Sequence, residues 1–528
     1  MIKYGFFLIY FLLIIISISA HGQVWRPDNG DGTYHNPIIF ADYSDPDIVR
    51  VGNDFYMVAS SFTCLPGIPV LHSYDLVNWK IVGHVYDKLP FEKYNQPQHG
   101  EGSWAPSIRY HNGEYYVYFC TPGEGLFMAK TKNPDGKWEL THVLSIHQWE
   151  DPCPIWDDDG SAYLVHSKLG GAKLYLHRMS ADGKKILDNG ILIFEDQKNQ
   201  PTIEGPKFLK KDGYYYIIAP AGGVPTGWQT VLRSKKIYGP YETKIVLEKG
   251  STDINGPHQG GIVALDSGEW WFVHFQDRRA YGRIVHLQPV FWKDGWPLMG
   301  IDLDGNGIGE PVMQYKKPDV GQSYPVQIPQ TSDEFDGESP GLQWQWQANP
   351  NPDWYEMVKN KGAIRLNAVN TPTEIGNIWY SPNLLLQKFP APEFTATTTM
   401  RFYPGETGEK AGLIIMGNSY AYLALQKEED GIHLIYFEGD NDRHGAKMET
   451  VEDTTWNSNT VILRVTVMPE AVCRFSYSTD NTEFEPFGRN FKARAGGWIG
   501  AKVGIFHINP NLNPYVYGHS EFDWFRVK

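Results

Sequence analysis

Three carboxylates share one sequence setting. Asp45 directly precedes Pro46, Asp151 directly precedes Pro152, and Glu204 stands two residues ahead of Pro206. A tryptophan and a histidine occupy the same setting, Trp104 two residues before Pro106 and His258 directly after Pro257. One acid before a proline is an ordinary turn residue. Three in a repeated setting are another matter, because like charges brought together raise one another's pKa and cost stability. Such crowding is kept where a site uses it. Two chemistries use it here: a separated acid and base cleaving a glycosidic bond, or a hard cation such as calcium held by carboxylate oxygens. Aromatic residues in the same segments favour a sugar ring over a bare ion. A carbohydrate-binding module without catalysis is the third reading, and it has no need of three acids on one axis.

The elements that must position these residues repeat. Five segments, beginning at Ser44, Trp104, Glu150, Glu204 and Gly256, each contain a proline, a short apolar run, a glycine-containing turn and an aromatic-rich run. The turns Gly52-Asn53-Asp54, Asn112-Gly113, Asp159-Gly160, Asp212-Gly213 and Ser267-Gly268 supply the positive φ that tight hairpins need. The prolines recur about every 46 to 60 residues, the period of a propeller blade. One or two further strand-like runs follow each hairpin, giving about four strands per unit. The reading is a five-bladed β-propeller over residues 30–315, with the first strand of each blade on the central axis. Residues far apart in sequence then meet around one cavity.

Residues 316–332, rich in Pro, Gln and Ser, read as a linker or wrapping strap. From Asp333 to Lys528, alternating runs such as "FTATTTMRFYP" and "VILRVTVM" predict a β-sandwich of jelly-roll type. The fold class is therefore all-β.

Composition narrows the partners. A net charge of −14 is the wrong sign for a phosphate-backbone binder. Lys3 followed by the apolar run Phe6–Ile18 and the small residues Ala20 and Gly22 predicts a secretory leader over residues 1–22. The mature protein is expected to be exported, periplasmic or secreted, and free of the membrane. Cys64, Cys120, Cys153 and Cys473 have no metal-binding spacing. The run "DLDGNG" from Asp302 lacks an acid at the twelfth position of a calcium loop, where Met313 stands, and reads as a turn.

"SDPDIVRVGNDFYMVASS", "EDPCPIWDDDGSAYLV", "TIEGPKFLKKDGYYYI" and "YGRIVHLQPVFWKDGWP" resemble glycoside hydrolase family 43. The resemblance is to its two-domain branch of β-xylosidases and α-L-arabinofuranosidases, with a C-terminal concanavalin-like sandwich. It implies exo-acting, inverting hydrolysis that releases a terminal pentose from plant cell-wall polysaccharide or its oligosaccharides. An arabinan- or galactan-directed member of the family is the alternative. Motif by motif, Asp45 matches the general base, Glu204 the general acid, and Asp151 the helper that holds the acid and tunes its pKa. Arg283 matches a substrate-binding arginine, Phe62 and Trp104 pocket walls, and Trp228 a rim residue. His258 matches an axial histidine that holds water or a calcium ion in the channel. No cofactor is required for the chemistry so implied, and a structural calcium is the metal option. The chain departs from β-xylosidases of the branch after Phe62, where it reads Thr63, Cys64 and Leu65. These are expected near the subsite that selects the sugar, which favours arabinofuranoside. The loop "AGGWIGAKVGIF" resembles one that leans over the pocket.

Overall fold

A computed structural model describes residues 24–370, 377–441, 447–511 and 518–528. The leader expected over residues 1–22 lies outside the described residues. Five sheets of four antiparallel strands follow one another in chain order, each a simple meander. Their first strands are Asp47–Val51, Trp104–His111, Trp149–Trp156, Lys207–Lys211 and His258–Ala264. Each first hairpin turns on a glycine with positive φ, from 62° at Gly52 to 85° at Gly268. This is the backbone state that L-side chains resist and a tight hairpin needs.

Five apolar cores lie between successive sheets, which closes the ring. Val58, Ile108 and Phe119 join blades one and two, and Tyr118, Met128 and Leu164 join two and three. Val165, Ile217 and Leu232 join three and four, and Tyr216, Phe272 and Val290 join four and five. Met57, Leu71, Val273 and Leu287 join five back to one. Among the described residues no blade borrows a strand from another. Instead, strand Thr33–His35 pairs with Gln314–Lys316 beside the last seam. Asn36 Nδ2 donates to the carbonyls of Leu287 and Val312, and its Oδ1 accepts from the Leu287 N–H.

The strap holds to blade one, where Gln330 bonds both backbone groups of Ile81 and Lys317 pairs with Asp75, and to the N-terminal segment, where Lys317 pairs with Asp28. Two eight-stranded sheets then form the sandwich. Its core runs on into the propeller through Phe40, Tyr281 and Ile284. Across the seam Leu65 and Trp346 exchange backbone hydrogen bonds, and the Ala501 N–H donates to the Ala280 carbonyl. Apolar continuity and backbone pairing together fix the sandwich against one end of the channel.

Candidate active site

The five repeat prolines share a backbone device. The residue before each has positive φ: Asp45 at 52°, Ala105 at 37°, Asp151 at 57°, Gly205 at 59° and Gly256 at 45°. For the three non-glycine residues this conformation costs about 1–3 kcal/mol each and is retained where the surroundings over-determine it. In blades one and three that slot itself carries an acid. In blade four it is glycine, and a Cβ there would meet the Gln259 side chain at 2.6 Å. The carboxylate of blade four therefore comes from one residue earlier, Glu204. Asp45 and Glu204 lie just ahead of their inner strands, not on them as the repeat suggested, because the chain must turn at the proline before the strand begins.

The acid side of the site is held tightly. Asp151 Oδ2 accepts from the Gly205 N–H at 2.7 Å and from the Ser167 hydroxyl at 3.2 Å. It thus grips the backbone next to Glu204. Glu204 Oε1 lies 2.9 Å from His258 Nε2. A third carboxyl joins them: Glu150, Asp151 and Glu204 each offer an oxygen within 4.8 Å of the others. Beneath, buried Lys207 donates to the Pro106 carbonyl and the Ser107 hydroxyl.

Asp45 is held by different partners. Ser44 and Ser60 hydroxyls donate to its Oδ2 at 2.8 and 2.7 Å. Arg283 Nη1 lies 2.9 and 3.2 Å from its two oxygens. Both side chains of this ion pair are over nine-tenths buried. The Arg283 guanidinium also lies over the Phe275 ring at 4.8 Å and near Trp498 at 5.9 Å. Asp45, Glu150, Asp151, Glu204, His258 and Arg283 face one cavity of about 520 Å³, also lined by Phe62, Trp104, Leu169, Thr202, Val224 and Trp498. This is within the size range of small-molecule sites. A separate hollow of about 580 Å³, lined by Asp47, Arg109, Trp156 and Asp266, holds none of the three acids.

Crowding sets the protonation of the acid side. Burial, then Asp151 and Glu204, push the Glu150 carboxyl well above its usual range. Burial, then Glu204 and Asp45, push Asp151 up as well. Glu150 and Asp151 therefore share a tendency to hold a proton near neutrality. A stability consequence follows. Unfolded Glu150 ionises near 4.5, whereas folded Glu150 keeps its proton to much higher pH. Its contribution is full below 4.5 and declines as pH rises through the folded value. Glu150→Gln should thus be more stable than wild type at pH 8, by about 1–3 kcal/mol, and equal to it at pH 4. Denaturant titrations at both pH values measure this; an equal gain at both would remove titration as the cause.

The sequence expectations divide in the structure. Asp45, Asp151, Glu204, Phe62, Trp104, Arg283 and His258 line one cavity. Trp228 does not: its indole packs in the core between blades three and four and donates to Gln200 Oε1. The residues after Phe62 also leave the pocket. Thr63 bonds the Gln347 carbonyl, and Cys64 and Leu65 are buried against the sandwich, so the sugar-selecting position inferred for them is withdrawn. The sandwich loop does reach the cavity, through Trp498, whose ring meets Trp104 edge-on at 6.0 Å. Glu150 is the residue that sequence reasoning missed. Its neighbour Asp151 drew attention, and strand alternation sends adjacent side chains to opposite faces. A bulge between Glu150 and Cys153 turns both inward. All four cysteines are free and buried, and Asp302 caps a turn through the Gly305 and Gly307 N–H groups.

The family model for Glycosyl hydrolases family 43 matches residues 34–297. The chain belongs to this family. A second model, the Beta xylosidase C-terminal Concanavalin A-like domain, matches residues 332–528. The fold class expected from sequence, a five-bladed propeller followed by a concanavalin-like sandwich, is therefore correct. A protein of Xylanibacter ruminicola, provisionally named a beta-xylosidase, is 42% identical over 90% of this chain and 86% of its own length. A beta-xylosidase of Formosa agariphila is 34% identical over 94% and 90%. A non-reducing end alpha-L-arabinofuranosidase of Bacteroides ovatus is 29% identical over 93% and 94%. Among solved structures, the family 43 protein BlXynB of Bacillus licheniformis superposes with a TM-score of 0.79 at 27% identity, covering 94% of this chain and 99% of that one. The protein is thus a glycosidase of family 43 acting on carbohydrate.

Proposed function

We propose that this glycosidase removes a single terminal pentose, α-L-arabinofuranosyl or β-D-xylosyl, with inversion, from plant cell-wall polysaccharide or its oligosaccharides. One observation carries the reading: a carboxylate clamped by Arg283, Ser44 and Ser60 faces the same cavity as a carboxylate bonded to His258 and braced by Asp151. Asp45 takes a proton from water while Glu204 gives one to the leaving oxygen. Asp151 fixes the backbone beside Glu204 by accepting from the Gly205 N–H. Relatives named for xyloside and for arabinofuranoside release support the choice of pentoses.

The sandwich loop supports exo action. Trp498, Trp104 and Phe62 wall one side of the cavity, so it is a pocket for a chain end. Trp498 is 56% exposed, which leaves its face open to the sugar next to the cleaved bond. Trp498→Ala is expected to lower kcat/KM on oligosaccharides about 10-fold, from lost apolar contact, with Tm unchanged. A lowered Tm with unchanged kcat/KM would make the residue a cover for the domain seam.

The acid–base pair suffices without a cofactor. A calcium ion in the channel would meet His258 through water. His258 Nδ1 is buried without a partner among the described residues, and Nε2 is engaged by Glu204. No step is routed through a metal, and activity should survive exhaustive chelation. Export is supported by the leader-like sequence before Gln23 and by a polymer-derived substrate; fractionation and the N-terminal mass of the mature chain test it.

The deciding test pairs aryl α-L-arabinofuranoside, β-D-xyloside and β-D-galactoside, with NMR of the first-formed anomer. Pentose released with inverted configuration is expected. Retained configuration sinks the mechanism, and release of galactose alone sinks the substrate class.

A further inference from the structure

Glu150 has no part in the reaction described above, yet the chain goes to some length to place it. The strand bulge and the left-handed backbone at Asp151 bring two consecutive acids to one cavity. Glu150 is 6% exposed. It lines the cavity beside Leu169 and Gly170. Its Oε1 is buried and has no hydrogen-bond partner among the described residues. A buried polar atom left so costs about 1–3 kcal/mol, and orphans of this kind call for an explanation.

We propose that Glu150 is a hydroxyl-binding residue of the sugar pocket, its unpartnered Oε1 meeting a ring hydroxyl of the terminal sugar. A carboxyl oxygen and a sugar hydroxyl are complementary in either protonation state, because the hydroxyl both donates and accepts. Burial and the neighbouring acids favour the neutral carboxyl, which can donate as well as accept. A site built to bond a hydroxyl rejects a sugar lacking it, since the buried group is then unpaired. Glu150 would accordingly make the pocket selective for one hydroxyl position, close to the acid that protonates the leaving group. The placement gives the bulge a purpose that Asp151 alone would not require.

The proposal rests on the pocket being a sugar site, so binding is the readout and turnover is not needed. Free L-arabinose, D-xylose and D-galactose, with their single-deoxy analogues, are titrated by NMR into wild type, Glu150→Ala and Glu150→Gln. Glu150→Ala should weaken the preferred sugar about 10-fold. For one deoxy analogue alone, wild type and Glu150→Ala should bind within about 3-fold of each other. Glu150→Gln, which can still donate and accept, should recover most of the affinity. Unchanged circular dichroism and a single cooperative unfolding transition show that the variants are folded. A loss spread evenly over every analogue, or no sugar bound by wild type, overturns the proposal. Wild-type turnover of the aryl glycosides, measured separately, shows whether hydrolysis itself has failed.

Discussion

Glu204→Gln should lose about 10²- to 10⁴-fold in kcat on oligosaccharides, yet lose little on a glycoside with a dinitrophenyl leaving group. The asymmetry follows from the role. A sugar alkoxide cannot leave without a proton, and a dinitrophenolate needs none. Gln preserves the shape and the partner for His258 Nε2, which lies 2.9 Å from Glu204 Oε1, so the pocket should stay assembled. The measurement is kcat/KM against leaving-group pKa. Wild type should be nearly flat and the variant steep. An equal loss on every leaving group would falsify the acid assignment and move Glu204 to a binding role.

Asp45→Asn should behave in the opposite way. Activation of water is needed whatever the leaving group, so the loss of about 10²- to 10⁴-fold should be uniform across the series. Azide in solution should restore turnover in Asp45→Gly by taking the place of water, giving a glycosyl azide of inverted configuration. The substitution also has a structural effect. Asp45 is the partner of Arg283, and both are buried. A buried guanidinium deprived of its counter-charge costs about 3–5 kcal/mol, so Tm should fall. Asn, which still accepts from Ser44 and Ser60, should fall less than Gly. A variant as active as wild type on any substrate would remove Asp45 from the reaction.

Much of this molecule is written locally. The hairpin glycines, the blade period and the prolines are short-range signals, and backbone sterics alone make them legible. They sufficed to predict five blades and to bring Asp45, Asp151 and Glu204 to one axis, because a closed ring forces equivalent repeat positions together. Trp104 and His258 follow from the same ring closure, whereas Arg283 and Phe62 came from the likeness of their motifs to family 43.

What the sequence could not decide depends on contacts between distant segments. Glu150 faces the cavity only because a bulge suspends strand alternation, and nothing in "EDP" shows which way the second acid turns. Trp228 reads as a rim aromatic, but packing between two blades takes its ring. Thr63, Cys64 and Leu65 read as pocket residues until the sandwich, whose strands begin some 280 residues later, covers them. The pairing of Asp45 with Arg283 joins the first blade to the fifth. Sequence by itself determined which groups could do chemistry and that they would meet. Tertiary structure decided their partners, because a carboxylate's hydrogen bonds and burial are set by whichever chain segment packs against it.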